Sequence, residues 1–356
     1  MTMNCKHTTY LTSCLVAGLL AMAVVACSTD AAGDGDSPLA AVGEPVVFAL
    51  ALNPSATRAE VANRTIDNTW PANKTVTIRD CVGDSTHTFT TGDAPSTVST
   101  TATALTATDG NFIWPVNDPQ WEFEAWYPSG DAPATTLTVA ADQSAITDDV
   151  FQGYDLLYCP PTAVTFRQRP VTLTFLHQMA RVVVIVNSDY TNTKEKVTEI
   201  TFGGGKAVLK GTISSRGTTP NTNGETTWTA STEAGYINKT VTMRPYAAET
   251  NTSMNTYAFE CILPPQRYPT EGALTTVASL VHIASEKKPA TEGKRQYHYD
   301  GTINLQAGYQ YTYNLLISEQ GVITLATVKV TDWIMGTPVS GNASVPSSSY
   351  PSTTIQ

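Results

Sequence analysis

The chain has 356 residues, a formal net charge of −10, six cysteines, and 41% hydrophobic against 15% charged residues. It is too rich in large apolar side chains for a disordered protein and too acidic for a nucleic-acid binder. Its length suits two domains.

Lys6 precedes an apolar run over residues 15–25 that stops at Val24-Val25-Ala26-Cys27. A membrane span needs about 20 apolar residues, and this run is shorter. It reads instead as a lipoprotein signal peptide over residues 1–26, cleaved before Cys27, whose thiol carries the lipid. Residues 27–45 form an acidic tether with Asp30, Asp34 and Asp36 and few side chains to bury. Cys5 and Cys14 leave with the signal, so Cys81, Cys159 and Cys261 remain. An odd trio at wide spacing is no disulfide framework; these cysteines read as small buried hydrophobes, with one pairing left open.

Beyond the tether, alternation of period two dominates and helical periodicity is not sustained, so the fold class is all-β. Residues 46–52 are more apolar than an exposed edge strand should be, with Val46, Phe48 and Leu50 on one face. Removing that strand would open a groove of bare core side chains and unpaired backbone, the site for strand addition by another chain. Residues 121–127 alternate apolar with acidic, which predicts a strand with one buried face and Glu122 and Glu124 in solvent. Pro160, Pro161 and Pro170 flank a domain boundary, dividing the chain into 46–165 and 166–338. Val171, Leu173 and Phe175 alternate with threonines, and residues 181–186 form a continuous run expected of a central strand covered on both faces. Gly203, Gly204 and Gly205 suggest a turn or bulge. Residues 280–305 predict a hairpin around a charged loop, a helix through Leu274, Val277 and Val281 being the alternative. Tyr309, Tyr311, Tyr313, Leu315 and Ile317 share one face of a long strand; a last strand runs to Asp332 and Trp333, and residues 339–356 are a polar tail.

Chemistry-bearing patterns are sparse. His177 has no Ser or Cys at triad spacing and reads as a structural histidine. His282 and His298 would face one another across the hairpin, but two histidines do not complete a zinc site. No cofactor or metal is expected. Six tryptophans could stack on sugars; Trp121, Trp126 and Trp333, at strand positions, read as core. Asp84-Ser85-Thr86 resembles a short bacterial O-glycosylation motif.

Four stretches resemble the fimbrillin-like proteins of Bacteroidales. They are residues 45–52 followed by Ala56-Thr57-Arg58-Ala59; residues 112–115 leading to 123–128; residues 155–158 leading to 171–180; and residues 305–313 with 323–333. The resemblance implies two transthyretin-like β-sandwich domains, export as an outer-membrane lipoprotein and surface exposure. It also implies cleavage by a trypsin-like surface protease after an Arg following the first strand, a position Arg58 matches, with Arg64 close by. Assembly into a fimbrium would follow by donor-strand exchange with other fimbrial subunits, supporting adhesion to a host or bacterial ligand. The rival expectation is a surface glycan-binding lipoprotein.

Overall fold

In the computed structural model the alternating segments are strands, because a period of two puts one apolar row on a pleated face. The structure describes residues 39–52, 69–70, 73–92, 96–97, 103–117, 120–188, 195–217, 226–246, 250, 255–287, 294–318 and 323–333. Cys27, Arg58, Arg64 and the tail 339–356 lie outside the described residues. The described part is all-β apart from one short helix, Asp148–Gly153, capped by the Thr147 side chain.

The first sheet runs, edge to edge, Thr103–Ala104, Phe48–Leu52, Val171–His177, Leu157–Ala163, Glu122–Tyr127, Thr75–Asp80, Thr86–Thr90, Thr106–Ala107. Its two outermost strands flank Leu105 in one continuous segment, so the sheet curls until its ends meet. Phe48, Phe89, Phe112, Phe123, Leu173 and Phe175 fill the interior.

The second core lies between a five-stranded and a four-stranded sheet. Ala180–Ser188 is central in the former, antiparallel to Thr256–Leu263 and parallel to Tyr309–Ile317, and Ile323–Asp332 forms its edge. In the latter, Glu195–Ala207 and Val277–Lys287 pair, with Lys239–Thr242 and Lys294–Gly301 outside them. The hairpin expected over 280–305 is therefore present, and the helical alternative is not: Val277–Lys287 is a strand. The glycines sit where the Glu195–Ala207 ladder shifts register, at φ +103, +48 and +72. A Cβ on Gly204 would stand 2.3 Å from the Ala278 carbonyl oxygen, so that bulge requires glycine.

The two cores do not divide at 165/166. Val171–His177 belongs to the first, pairing in parallel with Phe48–Leu52, while Val139, Phe151 and Leu156 pack in the second. The prolines at 160 and 161 lie inside a strand, at a register shift that spares them ladder bonds, rather than in a linker.

Arg181 is fully buried in the central strand. Its Nε and a terminal nitrogen donate to Glu260 Oε2 at 3.1 and 2.5 Å, Nη1 donates to Gln310 Oε1 at 2.9 Å, and the guanidinium lies 4.9 Å from the Tyr246 ring centre. Breaking such a pair strands a buried charge, so Glu260→Gln should cost about 3–5 kcal/mol in urea unfolding. The paired change Arg181→Met with Glu260→Leu should recover most of that loss.

Cys81, Cys159 and Cys261 are all free thiols, so no disulfide joins them. Burial pushes the Cys159 thiol from 9.0 up to about 12, and raises Cys261 as well. A raised thiol holds its proton in the folded state while the unfolded chain has lost it. Its contribution is intact below pH 9 and falls as pH rises toward 12. A thiol reagent at pH 8 should therefore leave Cys159 and Cys261 unmodified until denaturant is added. Urea midpoints should fall between pH 9 and pH 12, by less in the Cys159→Ser variant.

Candidate functional site: the first strand and its seat

Phe48–Leu52 is apolar throughout because the described side chains on both its faces are covered: Phe48, Ala49 and Leu50 are all fully buried, as is Val46 just ahead of it. Phe48 is the centre of an aromatic cluster, edge-on to Phe89, Phe112 and Phe123 with ring centres 5.2, 5.8 and 5.0 Å away. Edge-to-face pairs of this kind add about 0.5–1.5 kcal/mol each beyond area burial. One side of the strand runs in parallel register with Val171–His177, Phe48 opposite Val171 and Leu50 opposite Leu173. Among the described residues the other side pairs with Thr103–Ala104, and Leu105 N donates to Phe48 O at 3.1 Å.

Burial of Val46, Phe48 and Leu50 stabilises the first core by roughly 5–9 kcal/mol at 1.5–3 kcal/mol per side chain. That is comparable with the whole net stability of a typical domain, about 5–15 kcal/mol. The seat cannot stay empty without cost.

The remaining polar clusters are internal struts. His177 is buried, its Nδ1 2.7 Å from Asp155 Oδ1 and its ring stacked on Trp333 at 4.3 Å between centres and 9° between planes. His282 and His298 do stand opposite each other, but no group of three or more His, Cys, Asp or Glu side chains among the described residues could hold a metal ion. Asp148 and Asp149 are exposed at the helix start, where they pair with Arg244 and Lys74.

Glu124 departs from the expected pattern. It is buried, accepting a 2.7 Å hydrogen bond from Tyr158 and pairing with Arg79, because Arg216 and Tyr158 cover the second face of its strand. Alternation within one strand could not show that cover, which comes from a segment some ninety residues later in the chain.

Trp114, Trp126 and Trp333 are fully buried. Trp121 packs against Trp114 and Phe123, and Trp228 donates from Nε1 to the Gln178 carbonyl at 2.8 Å. These five form no open aromatic platform; the Trp70 side chain lies outside the described residues. Asp84, Ser85 and Thr86 are exposed at the turn between Thr75–Asp80 and Thr86–Thr90.

Fold and site together define an all-β protein whose first strand occupies a lined groove at the closing seam of a curled sheet. The chain belongs to the fimbrillin-like family, whose model matches residues 57–333. That match begins downstream of the first strand. Among solved structures, a candidate cell adhesion protein from Bacteroides uniformis is similar with a TM-score of 0.51 at 20% identity, over 81% of this chain and 98% of that one. A second, from Bacteroides ovatus, gives 0.48 at 17% identity over 83% and 100%. A fimbrial protein from Bacteroides vulgatus gives 0.36 at 15% identity over 65% and 83%. At 20% identity the first of these likenesses is one of fold. Comparison with curated protein sequences gives no match.

Phe48→Ala should destabilise the first core by about 3–5 kcal/mol, the usual cost of truncating a buried Phe. Val82→Ala, at a position 63% exposed, should shift the urea midpoint by less than about 0.5 kcal/mol equivalent.

Proposed function

We propose that this protein is a structural subunit of a cell-surface fimbrium, not an enzyme, and that its first strand is a placeholder later replaced by a strand from a neighbouring subunit. The observation that carries this reading is the position of Phe48–Leu52. It supplies the centre of a core, yet among the described residues its second side pairs only with Thr103–Ala104, beside one bond from Leu105. A strand so placed is hard to leave out and accessible to exchange, which is the demand that strand addition makes.

Export would begin with acylation of Cys27, placing the precursor on the outer membrane through its lipid. Cleavage after Arg58 by a trypsin-like surface protease would then separate lipid and first strand from the body. Membership of the fimbrillin-like family supports the subunit reading. Repeated head to tail, an exchange of this kind does not close on itself and grows a filament, which could then present an adhesion ligand site. A glycan-binding lipoprotein would need bared aromatic rings and a retained first strand. The packed state of the five described tryptophans favours the subunit instead.

Arg58→Ala, combined with Arg64→Ala to remove the neighbouring basic bond, should trap membrane-bound monomer that labels with a fatty-acid analogue and is absent from sheared filaments. N-terminal sequencing of wild-type filaments should begin at Ala59. Filaments that still contain residues 39–52 would refute replacement of the strand.

A further inference from the structure

The seat extends further than the first strand. Upstream of it, residues 40–46 zip onto two other segments. Gly43 N donates to Trp114 O at 2.8 Å, Trp114 N to Glu44 O at 3.0 Å and Val46 N to Phe112 O at 2.8 Å, with a bridge between Pro45 and Ile113. On the opposite side Ala40 N donates to Arg167 O at 3.0 Å, the Arg167 guanidinium returns to Ala40 O, and Arg169 stands 3.3 Å from Glu44 Oε2. Arg167 adopts φ +65, which turns 166–170 toward the incoming chain. Ala40 is fully buried.

Each of these contacts bears on any replacement. A carboxylate where Glu44 meets Arg169 favours the occupant, and a β-branched side chain is needed two residues on for the Val46 pocket. The occupant needs an aromatic ring two further on among Phe89, Phe112 and Phe123, and an aliphatic one two beyond that. Without residues 39–52, Arg169 would lose its Glu44 partner and Arg167 its bond to the Ala40 carbonyl at the mouth of the groove, on a chain whose net charge is −10. A cationic mouth on an acidic protein draws acidic segments and steers their approach.

Resting on the strand-replacement reading above, we infer that the vacated groove selects its incoming strand by side-chain pattern, and that residues 318–356 of a second copy do not meet that pattern. The pattern is a carboxylate followed at every second position by a β-branched, an aromatic and an aliphatic residue. Residues 318–356 hold two aromatic side chains: Trp333, buried in this chain's own core, and Tyr350, which has Ser348 and Ser352 at the required neighbouring positions; their two side-chain carboxylates are Glu319 and Asp332. Asp332 is followed at the required positions by Ile334, Gly336 and Pro338, which leaves the aromatic pocket empty. Glu319 is followed by Gly321, Ile323 and Leu325, which leaves the Val46 pocket empty, and Ile323 and Leu325 already pack on this chain's own core. The occupant is thus recognised by charge at one end and ring shape in the middle.

The test uses residues 28–356 with a specific protease site inserted between 53 and 68, cleaved after folding. Labelled synthetic peptides are then exchanged against the resident segment and followed by fluorescence anisotropy. A peptide of residues 39–52 should bind. Its Phe48→Ala form should bind at least ~100-fold more weakly, as for truncation of a buried ring. Its Glu44→Gln form should lose up to about fivefold at low salt and nothing at 1 M salt, as expected of a half-exposed pair. Arg169→Glu protein should prefer the Glu44→Arg peptide. A peptide of residues 318–356 should not compete. If the 39–52 peptide itself never enters, strand replacement fails and takes this inference with it. If it enters but all peptides bind alike, only the selectivity is overturned; if the 318–356 peptide binds as well as 39–52, the partner is a second copy.

Discussion

The first half of this protein depends on one ring. Phe48 lies edge-on to three other phenylalanines contributed by three separate parts of the sheet and its connections, and it is the one aromatic residue of the first strand. Burial and ring geometry there are worth several kcal/mol, against a net stability of about 5–15 kcal/mol for a domain. The parallel pairing with Val171–His177 and the seating of Val46 and Leu50 enclose that position.

The second half is secured differently. Its core is larger and its sheets pair over longer registers, and behind the central strand a buried guanidinium ties three strands through Glu260 and Gln310. Exposed pairs from the short helix, Asp148 with Arg244 and Asp149 with Lys74, reach a strand of each core. Exposed pairs of this kind contribute little individually, about 0–1 kcal/mol, so the helix is held chiefly by buried Phe151, over which Arg244 lies at 4.6 Å. Strand replacement in the first half would therefore leave the second half's own core intact.

Much of this was legible in the sequence because the period of two is unambiguous where one face is apolar. The strands at 46–52, 171–177 and 309–317 and the hairpin around residue 290 follow from it directly, as does the burial of Val46, Phe48 and Leu50. What alternation could not reveal is cover arriving from elsewhere in the chain. Glu124 looked solvent-facing because its partners Arg79 and Tyr158 come from neighbouring strands. The domain boundary looked sharp because prolines usually end elements, whereas here they occupy an irregular stretch within one, and the next strand returns to the first core. Arg181 at the head of an apolar run gave no sign of its carboxylate, which lies 79 positions later.

The segment 103–107 belongs to both ends of the first sheet. A curled sheet of that kind, deprived of one strand, presents two edges facing each other across roughly 10 Å, twice the spacing of neighbouring strands. One strand fits that space and a second does not. An ordinary open edge can go on recruiting strands without limit, as fibrils do. A vacancy of this shape would have a valence of one, so growth starting from it would be counted, one partner per molecule, and could not branch.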